Sequence, residues 1–368
     1  MNGFTKHILF LLFLGTFFLS GSSQALAQAD TVTISFLGDI MQHDNQRHAA
    51  LKEDGSFDYS DYFRYIADDL KASDVAVANL ETPVGAEPFK GYPAFSAPAQ
   101  LALEAAASGI DLLLLANNHI CDRGARGIDS TISICERNGI YYTGASRGYT
   151  RESLQPFVFD CKGIRIGIVN MTYGTNGIPT PKGYQVARMD SNAVKSAIMQ
   201  AELALCDIII AAPHWGNEYQ TFPSYEQKKW EKFLFRNGVD IIAGGHPHVP
   251  QPTYEKPMDK APFKQVTAYS MGNYISNMTA EFTRVGLMLQ IQIIKHRYRL
   301  EQVEIGEVKV IPLWCTRPGE VCENFSVVPM VPFLERPDAF SNENAYLHMK
   351  RYYHRIKSKK LDICQKKQ

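Results

Sequence analysis

The stretch Ile241-Ile242-Ala243-Gly244-Gly245-His246-Pro247-His248 decides how this chain is read. Three apolar residues without polar alternation fit a strand covered on both faces, as in a parallel sheet. Two glycines then end the strand, and two imidazoles follow at its exit. Upstream the same order recurs. Ile208–Ala212 leads into Pro213-His214-Trp215-Gly216, and Leu112–Ala116 into Asn117-Asn118-His119, with Asp122 three residues on. Val75–Ala78 leads into Asn79-Leu80-Glu81, Val32–Leu37 into Gly38-Asp39, and Val266–Met271 into Gly272-Asn273.

Ile164–Met171 is a further apolar run, and helical patterns separate the strands at Tyr59–Ala72, Ala99–Ser108, Gly127–Asn138, Ser191–Leu205 and Tyr225–Asn237. Strand and helix in alternation imply an α/β fold with a largely parallel sheet under helical cover. From Gln265 the pattern changes to consecutive strands, Val266–Met271, Val285–Ile294 and Arg297–Ile311. That change predicts hairpin-linked, antiparallel strands extending or pairing with the sheet. Pro83–Pro98 and Gly174–Gly183 are rich in Pro and Gly, and long loops of this kind often cover a site.

In parallel α/β sheets the C-terminal strand ends face one crevice, where ligands bind. Separate strands therefore deliver Asp39, Glu81, Asn118, His214, His246 and His248 to one edge. A single His after a strand is ordinarily a hydrogen-bonded loop residue. Six ligand-type residues in succession predict a shared metal site. Carboxylates, an amide oxygen and imidazoles form a mixed N/O set suited to Mn, Fe or Zn rather than to all-oxygen Ca sites. The set exceeds what one tetrahedral ion needs, so two ions sharing a bridging carboxylate would use all of it. Such pairs, roughly 3.5–4 Å apart, clamp both oxygens of a phosphoryl displacement.

The order GD, NLE, NNHxxD, HWG, GHPH, GN resembles the bacterial capsule-synthesis CapA family, also called the poly-γ-glutamate capsule biosynthesis family, within the calcineurin-like metallophosphoesterase superfamily. The resemblance runs from about Thr31 to about Ile311. It implies a four-layer α/β/β/α sandwich with a metal centre of one or two divalent ions at its strand ends. Residue by residue, it implies Asp39 and His248 on the first ion, Glu81 bridging, and Asn118, His214 and His246 on the second. His119 matches a non-ligand catalytic histidine, Asp122 the residue that orients it, and Asn273 a brace for the site. One position departs from the superfamily pattern. An Asp-x-His pair is usual at the start, whereas Met41 stands third here. The first ion is left with Asp39, Glu81 and His248, and His43 reads as an ordinary loop histidine.

The resemblance implies a metal-dependent, phosphoesterase-like hydrolase in capsule or exopolymer synthesis or export. Its substrate would be a phosphoester or an anionic polymer, and capsule-synthesis membrane proteins are its expected partners. A non-enzymatic accessory that binds polymer is the alternative, and a nucleotidase-like enzyme a weaker one. Gly144-Ala145-Ser146-Arg147-Gly148 also fits the G-x-S-x-G nucleophile elbow, but no helix start follows it, as that elbow requires.

At 368 residues and 45% hydrophobic, the chain can bury a large core, which excludes wholesale disorder. Lys+Arg 38 balance Asp+Glu 38, so no general electrostatic attraction to nucleic acid follows. Lys6 and His7 precede the apolar run Ile8–Leu19, and Ala25-Leu26-Ala27 supplies an A-x-A exit. The run is too short to cross a bilayer of roughly 30 Å. Residues 1–27 therefore read as a secretory signal peptide, placing the mature protein in the periplasm or at the cell surface. Residues 30–311 form the expected catalytic-type domain, and 312–368 an extension ending in a basic helix. Asn342–Gln368 carries eight Lys/Arg against two acids, which reads first as a solvated terminal helix and, as the alternative, suits contact with an anionic polymer or peripheral membrane contact. Cys315 and Cys322 flank the turn signal Pro318-Gly319 and are spaced to close a hairpin as a disulfide.

Overall fold

A computed structural model describes residues 29–148, 154–296 and 302–367. The export segment expected at 1–27 lies outside them, as does the start of the strand expected at Arg297. The chain begins with β1 (Ala29–Ile40), α1 (Asp44–Ala50), α2 (Ala67–Lys71), β2 (Val75–Leu80), α3 (Gln100–Ala107), β3 (Leu112–Leu114), α4 (Gly124–Arg137) and β4 (Tyr141–Thr143). It continues through β5 (Ala145–Arg147), β6 (Phe157–Cys161), β7 (Ile164–Thr172), β8 (Tyr184–Val186), α5 (Ser191–Leu203), β9 (Ile208–His214), α6 (Tyr225–Arg236) and β10 (Ile241–Ala243). The last part holds β11 (Thr253–Pro257), β12 (Lys264–Ala268), β13 (Asn273–Ile275), β14 (Val285–His296), β15 (Gln302–Thr316), β16 (Ser326–Pro329), α7 (Met330–Phe333), α8 (Glu343–Ser358) and β17 (Cys364–Lys366).

These strands build two main sheets. One runs β16-β15-β14-β1-β2-β3-β4, with β13 pairing the end of β1. The other runs β17-β11-β12-β10-β9-β7-β6. The β1–β4 segment is parallel, as are β7, β9, β10 and β12, matching the continuous apolar runs. Val32, Ile34 and Phe36 of β1 meet Ile166, Ile168, Ile208 and Ile210 in a buried layer between the sheets. Leu101 and Ala105 of α3 with Ile128 and Ile132 of α4 cover the outer face of the first sheet. Val194 and Ile198 of α5 with Leu234 of α6 cover the second. Helix, sheet, sheet, helix is the expected four-layer sandwich.

Three expectations are corrected. The segment from Gln265 is not one antiparallel run: β12 pairs parallel with β10 in the second sheet, whereas β14, β15 and β16 are antiparallel neighbours in the first, where β14 also runs antiparallel to β1. Between them the chain crosses from sheet to sheet through Gly272, whose φ of +66° lets it turn. Tyr59–Ala72 is not one helix; a 3-10 turn at Ser60–Tyr62 precedes a short α2. Tyr62, Phe63 and Ile66 are fully buried, and the Tyr274 hydroxyl donates to the Tyr62 carbonyl at 2.6 Å, taking an acceptor a helix would use. Cys315 and Cys322 are free thiols. Cys315 pairs in register with Val327 on β16, not with Cys322, and its buried sulfur lies on the Ser276 carbonyl at 3.4 Å.

Candidate metal centre

All six anticipated donors meet where the strands of the two sheets end. Asp39 lies at the end of β1, Glu81 just past β2, Asn118 past β3 and His214 at the end of β9. His246 and His248 lie past β10. The six are buried. Strand ends can approach this closely because key positions lack a Cβ: one added at Gly245 would lie 2.9 Å from Asp39 Oδ1. Across the gap between sheets, the His246 amide donates to Asp39 Oδ2 at 3.3 Å.

The donors fall into two triads that share Glu81. Glu81, His214 and His246 present ligand atoms within 4.8 Å of one another, and so do Asp39, Glu81 and His248. His214 Nε2 is 2.8 Å from Asn118 Oδ1 and 3.5 Å from Glu81 Oε1, so Asn118 joins the first triad. His248 Nδ1 is 3.4 Å from Asp39 Oδ2, and its Nε2 is 3.7 Å from Glu81 Oε1. Glu81 is common to both halves.

Two buried atoms test the fit to a metal. Glu81 Oε1 and His246 Nδ1 lack a hydrogen-bond partner. A buried polar atom left unpaired costs roughly 1–3 kcal/mol, and more if charged. Both orphans belong to the same triad and are converging ligand types, so a divalent cation satisfies them together. Electrostatics agrees. Burial opposes ionisation of Asp39, but His248, His214 and Asn79 overcome it and hold its carboxyl below the usual value. Burial dominates at His246 and, with the neighbouring imidazoles, pushes it well down, keeping its ring neutral.

His119 and Asp122 stand beside the donors. His119 Nδ1 is 2.7 Å from Asp122 Oδ2, which also accepts the Phe95 amide at 2.9 Å. The carboxylate therefore holds Nδ1 in its protonated form and leaves Nε2 to exchange a proton. Phe95, from the loop at 83–98, packs edge-on against the His119 ring at 4.6 Å. From the loop at 174–183, Asn176 accepts from Asn118 Nδ2 at 3.2 Å. Both Pro/Gly-rich loops thus reach the site. His43 stands apart, its Nδ1 occupied by Gln46 Oε1 at 3.2 Å and the Asn277 amide at 3.3 Å. Met41 is buried and offers no ligand nitrogen.

Several residues had no role assigned from sequence. Asn79 Nδ2 donates to Asp39 Oδ1 at 2.8 Å and Glu81 Oε2 at 3.2 Å, leaving each carboxylate its other oxygen for the histidines. Asn117 passes the brace on, donating to Asn79 Oδ1 at 3.2 Å and accepting from the His119 amide at 3.1 Å. Their signal was present in the triplets Asn79-Leu80-Glu81 and Asn117-Asn118-His119. Tyr173 packs on His246 at 4.6 Å between centroids. Asn273 braces the site as expected from the resemblance: its amide nitrogen is committed to Ser276 and Thr283, so its Oδ1 accepts from His248 Nδ1 at 3.0 Å. Gly144–Gly148 forms no elbow, since β5 pairs antiparallel with β8.

Residues 33–278 match the family described as bacterial capsule synthesis protein PGA_cap. Capsule biosynthesis protein CapA of Bacillus anthracis is 28% identical over 298 residues, spanning 77% of this chain and 67% of that protein. PGA biosynthesis protein CapA of Bacillus subtilis (strain 168) is 25% identical over 297 residues, spanning 77% and 74%. Among solved structures, NAD nucleotidase of Haemophilus influenzae aligns over 91% of this chain and 61% of its own, with a TM-score of 0.49 and 12% identity. Calcineurin-like phosphoesterase YfkN from Bacillus subtilis aligns over 90% and 99%, with a TM-score of 0.43 and 13% identity. With the match running through every strand end that carries a donor, this chain belongs to the bacterial capsule synthesis protein PGA_cap family.

Proposed function

We propose that this protein is an exported, metal-dependent hydrolase of phosphoester type, working in capsule or exopolymer synthesis or export. The observation that carries the proposal is the pair of orphaned atoms, Glu81 Oε1 and His246 Nδ1, inside a buried cluster of carboxylate, amide and imidazole donors. The mixed N/O set suits Mn, Fe or Zn, in one or two ions. A divalent ion held there supplies Lewis-acid charge to a phosphoryl oxygen. Asp39, Glu81, Asn118, His214, His246 and His248 are the residues that would hold it. The His119–Asp122 pair supports general-acid chemistry, because Nε2 is left free to give a proton to a departing oxygen. Export is inferred from the apolar run at 8–19 and the A-x-A exit that follows. The capsule setting is inferred from family membership and from the names of the two relatives.

The purified mature protein should hold stoichiometric divalent metal and turn over a generic phosphoester. Glu81→Ala and His214→Ala should abolish turnover and release metal. His119→Ala should keep the metal while kcat falls by ~10²–10⁴. A protein that is metal-free and equally inert with or without these changes contradicts the hydrolase reading and favours the polymer-binding accessory.

A further inference from the structure

Beyond the six donors read from the strand ends, one more carboxylate reaches the cluster. Glu218 lies four residues after His214, on the loop between β9 and α6. Its Oε1 is 4.0 Å from His248 Nε2, and it forms a third triad with His246 and His248, all ligand atoms within 4.8 Å. Among the described residues, no lysine or arginine forms an ion pair with it.

Its loop is built to hold it there. The Tyr219 amide donates to the Pro247 carbonyl at 2.8 Å, tying the loop to the segment between the two histidines. Buried Gln251 donates to the carbonyls of Gln220 at 2.8 Å and Phe222 at 3.1 Å, and accepts from Gln227 Nε2 at 2.8 Å. Tyr219, His246 and His248 have φ of +65°, +96° and +58°. Left-handed backbone at non-glycine residues is strained and persists where the surroundings over-determine it. Strain and anchoring thus converge on the face that Glu218 shares with the two imidazoles.

The third triad also complements the first two. Glu81 is fully buried and common to both inner triads, whereas the Glu218 side chain is 42% exposed. Glu218 takes His246 from one inner triad and His248 from the other. Asn273 engages His248 Nδ1, leaving Nε2, the nitrogen that faces both Glu81 and Glu218, as the free donor. His246 Nδ1 has no partner at all. Three carboxylates, those of Asp39, Glu81 and Glu218, lie 3.4, 3.7 and 4.0 Å from the His248 ring nitrogens, a concentration of negative charge which a divalent cation neutralises.

We infer that Glu218 is a metal-ligating carboxylate that closes the solvent side of the centre, joining its His246 half to its His248 half. The inference rests on the metal-dependent reading given above. It is tested by titrating the metal-stripped full chain and its Glu218→Gln variant with Mn²⁺, following free Mn²⁺ by electron paramagnetic resonance. Thermal melting in EDTA runs in parallel and should give coincident curves, because the substituted group is half in solvent. Loss of even an indirect partner costs ~10–100-fold in metal affinity, so Glu218→Gln should bind Mn²⁺ at least about tenfold more weakly. Glu218→Asp, which keeps the charge on a shorter arm, should fall between the two. Equal affinity and stoichiometry in wild type and Glu218→Gln overturn the assignment while leaving the metal reading intact. A wild-type chain that takes up no Mn²⁺ overturns both.

Discussion

Asn79 shows how much of the centre depends on a residue that is not itself a donor to metal. One amide nitrogen bonds a carboxylate from each of two neighbouring strands, so the remaining oxygens of Asp39 and Glu81 face the histidines. Outer groups of this kind set ligand orientation and are costly to remove. A second residue-scale effect lies far from the site. Asp240 precedes β10 and accepts the Ile209 amide at 2.9 Å. Burial pushes its carboxyl up to about 7; the Ile209 hydrogen bond opposes this, and Glu202 adds to it. Because the folded value exceeds the unfolded one of about 3.9, the folded state holds this proton more tightly. The resulting stabilisation is fully present below about pH 4 and is lost as pH rises through about 7. Asp240→Asn keeps an oxygen for Ile209 but cannot titrate. In urea denaturation its stability relative to wild type should therefore rise between those pH values, whereas a pH-independent difference contradicts the shift.

At the scale of elements, the parallel strands were legible because each is a continuous apolar run, and the donors because each follows such a run directly. Asp39, Glu81, His214, His246 and His248 were found on that signal alone. Glu218 was not, because it sits in a loop whose approach to His248 depends on Gln251 and Tyr219 rather than on any strand. The expected helix at Tyr59–Ala72 failed for a related reason. Its apolar spacing is helical, but Tyr274, more than two hundred residues away, takes the Tyr62 carbonyl. Strands as short as β4 and β13 left no periodic trace to read. Where β1 meets β13, packing is tight enough for a firm expectation. A Cβ at Gly38 would lie 1.9 Å from the Gly272 carbonyl oxygen. Gly38→Ala must displace one strand, and overpacking of this kind costs ~1–3 kcal/mol or more. A lowered denaturation midpoint together with weaker metal binding is expected, since Asp39 is the next residue; an unchanged midpoint contradicts the observed packing.

At the scale of the whole molecule, the segment from α8 to β17 contacts both sheets. The α8 helix begins on Asn342, whose Oδ1 accepts the Ala345 amide at 2.9 Å, and lays Ala345, Met349 and Ile356 against Trp314, Phe282 and Phe333. The following β17 joins the opposite sheet beside β11, and Lys367 reaches Glu231 of α6 at 2.5 Å. This segment therefore joins elements of both sheets, while Arg351, Lys357 and Lys360 remain exposed on its basic face. Among the described residues, no helix is long and apolar enough to cross a membrane. The proposed activity depends on donors from both sheets holding a cation at their common edge. Crystals soaked in Mn²⁺ and measured for anomalous scattering test that dependence directly. Anomalous density enclosed by Glu81, Asn118, His214 and His246, or by Asp39, Glu81 and His248, is the predicted result; saturating Mn²⁺ with no peak among these side chains would contradict it.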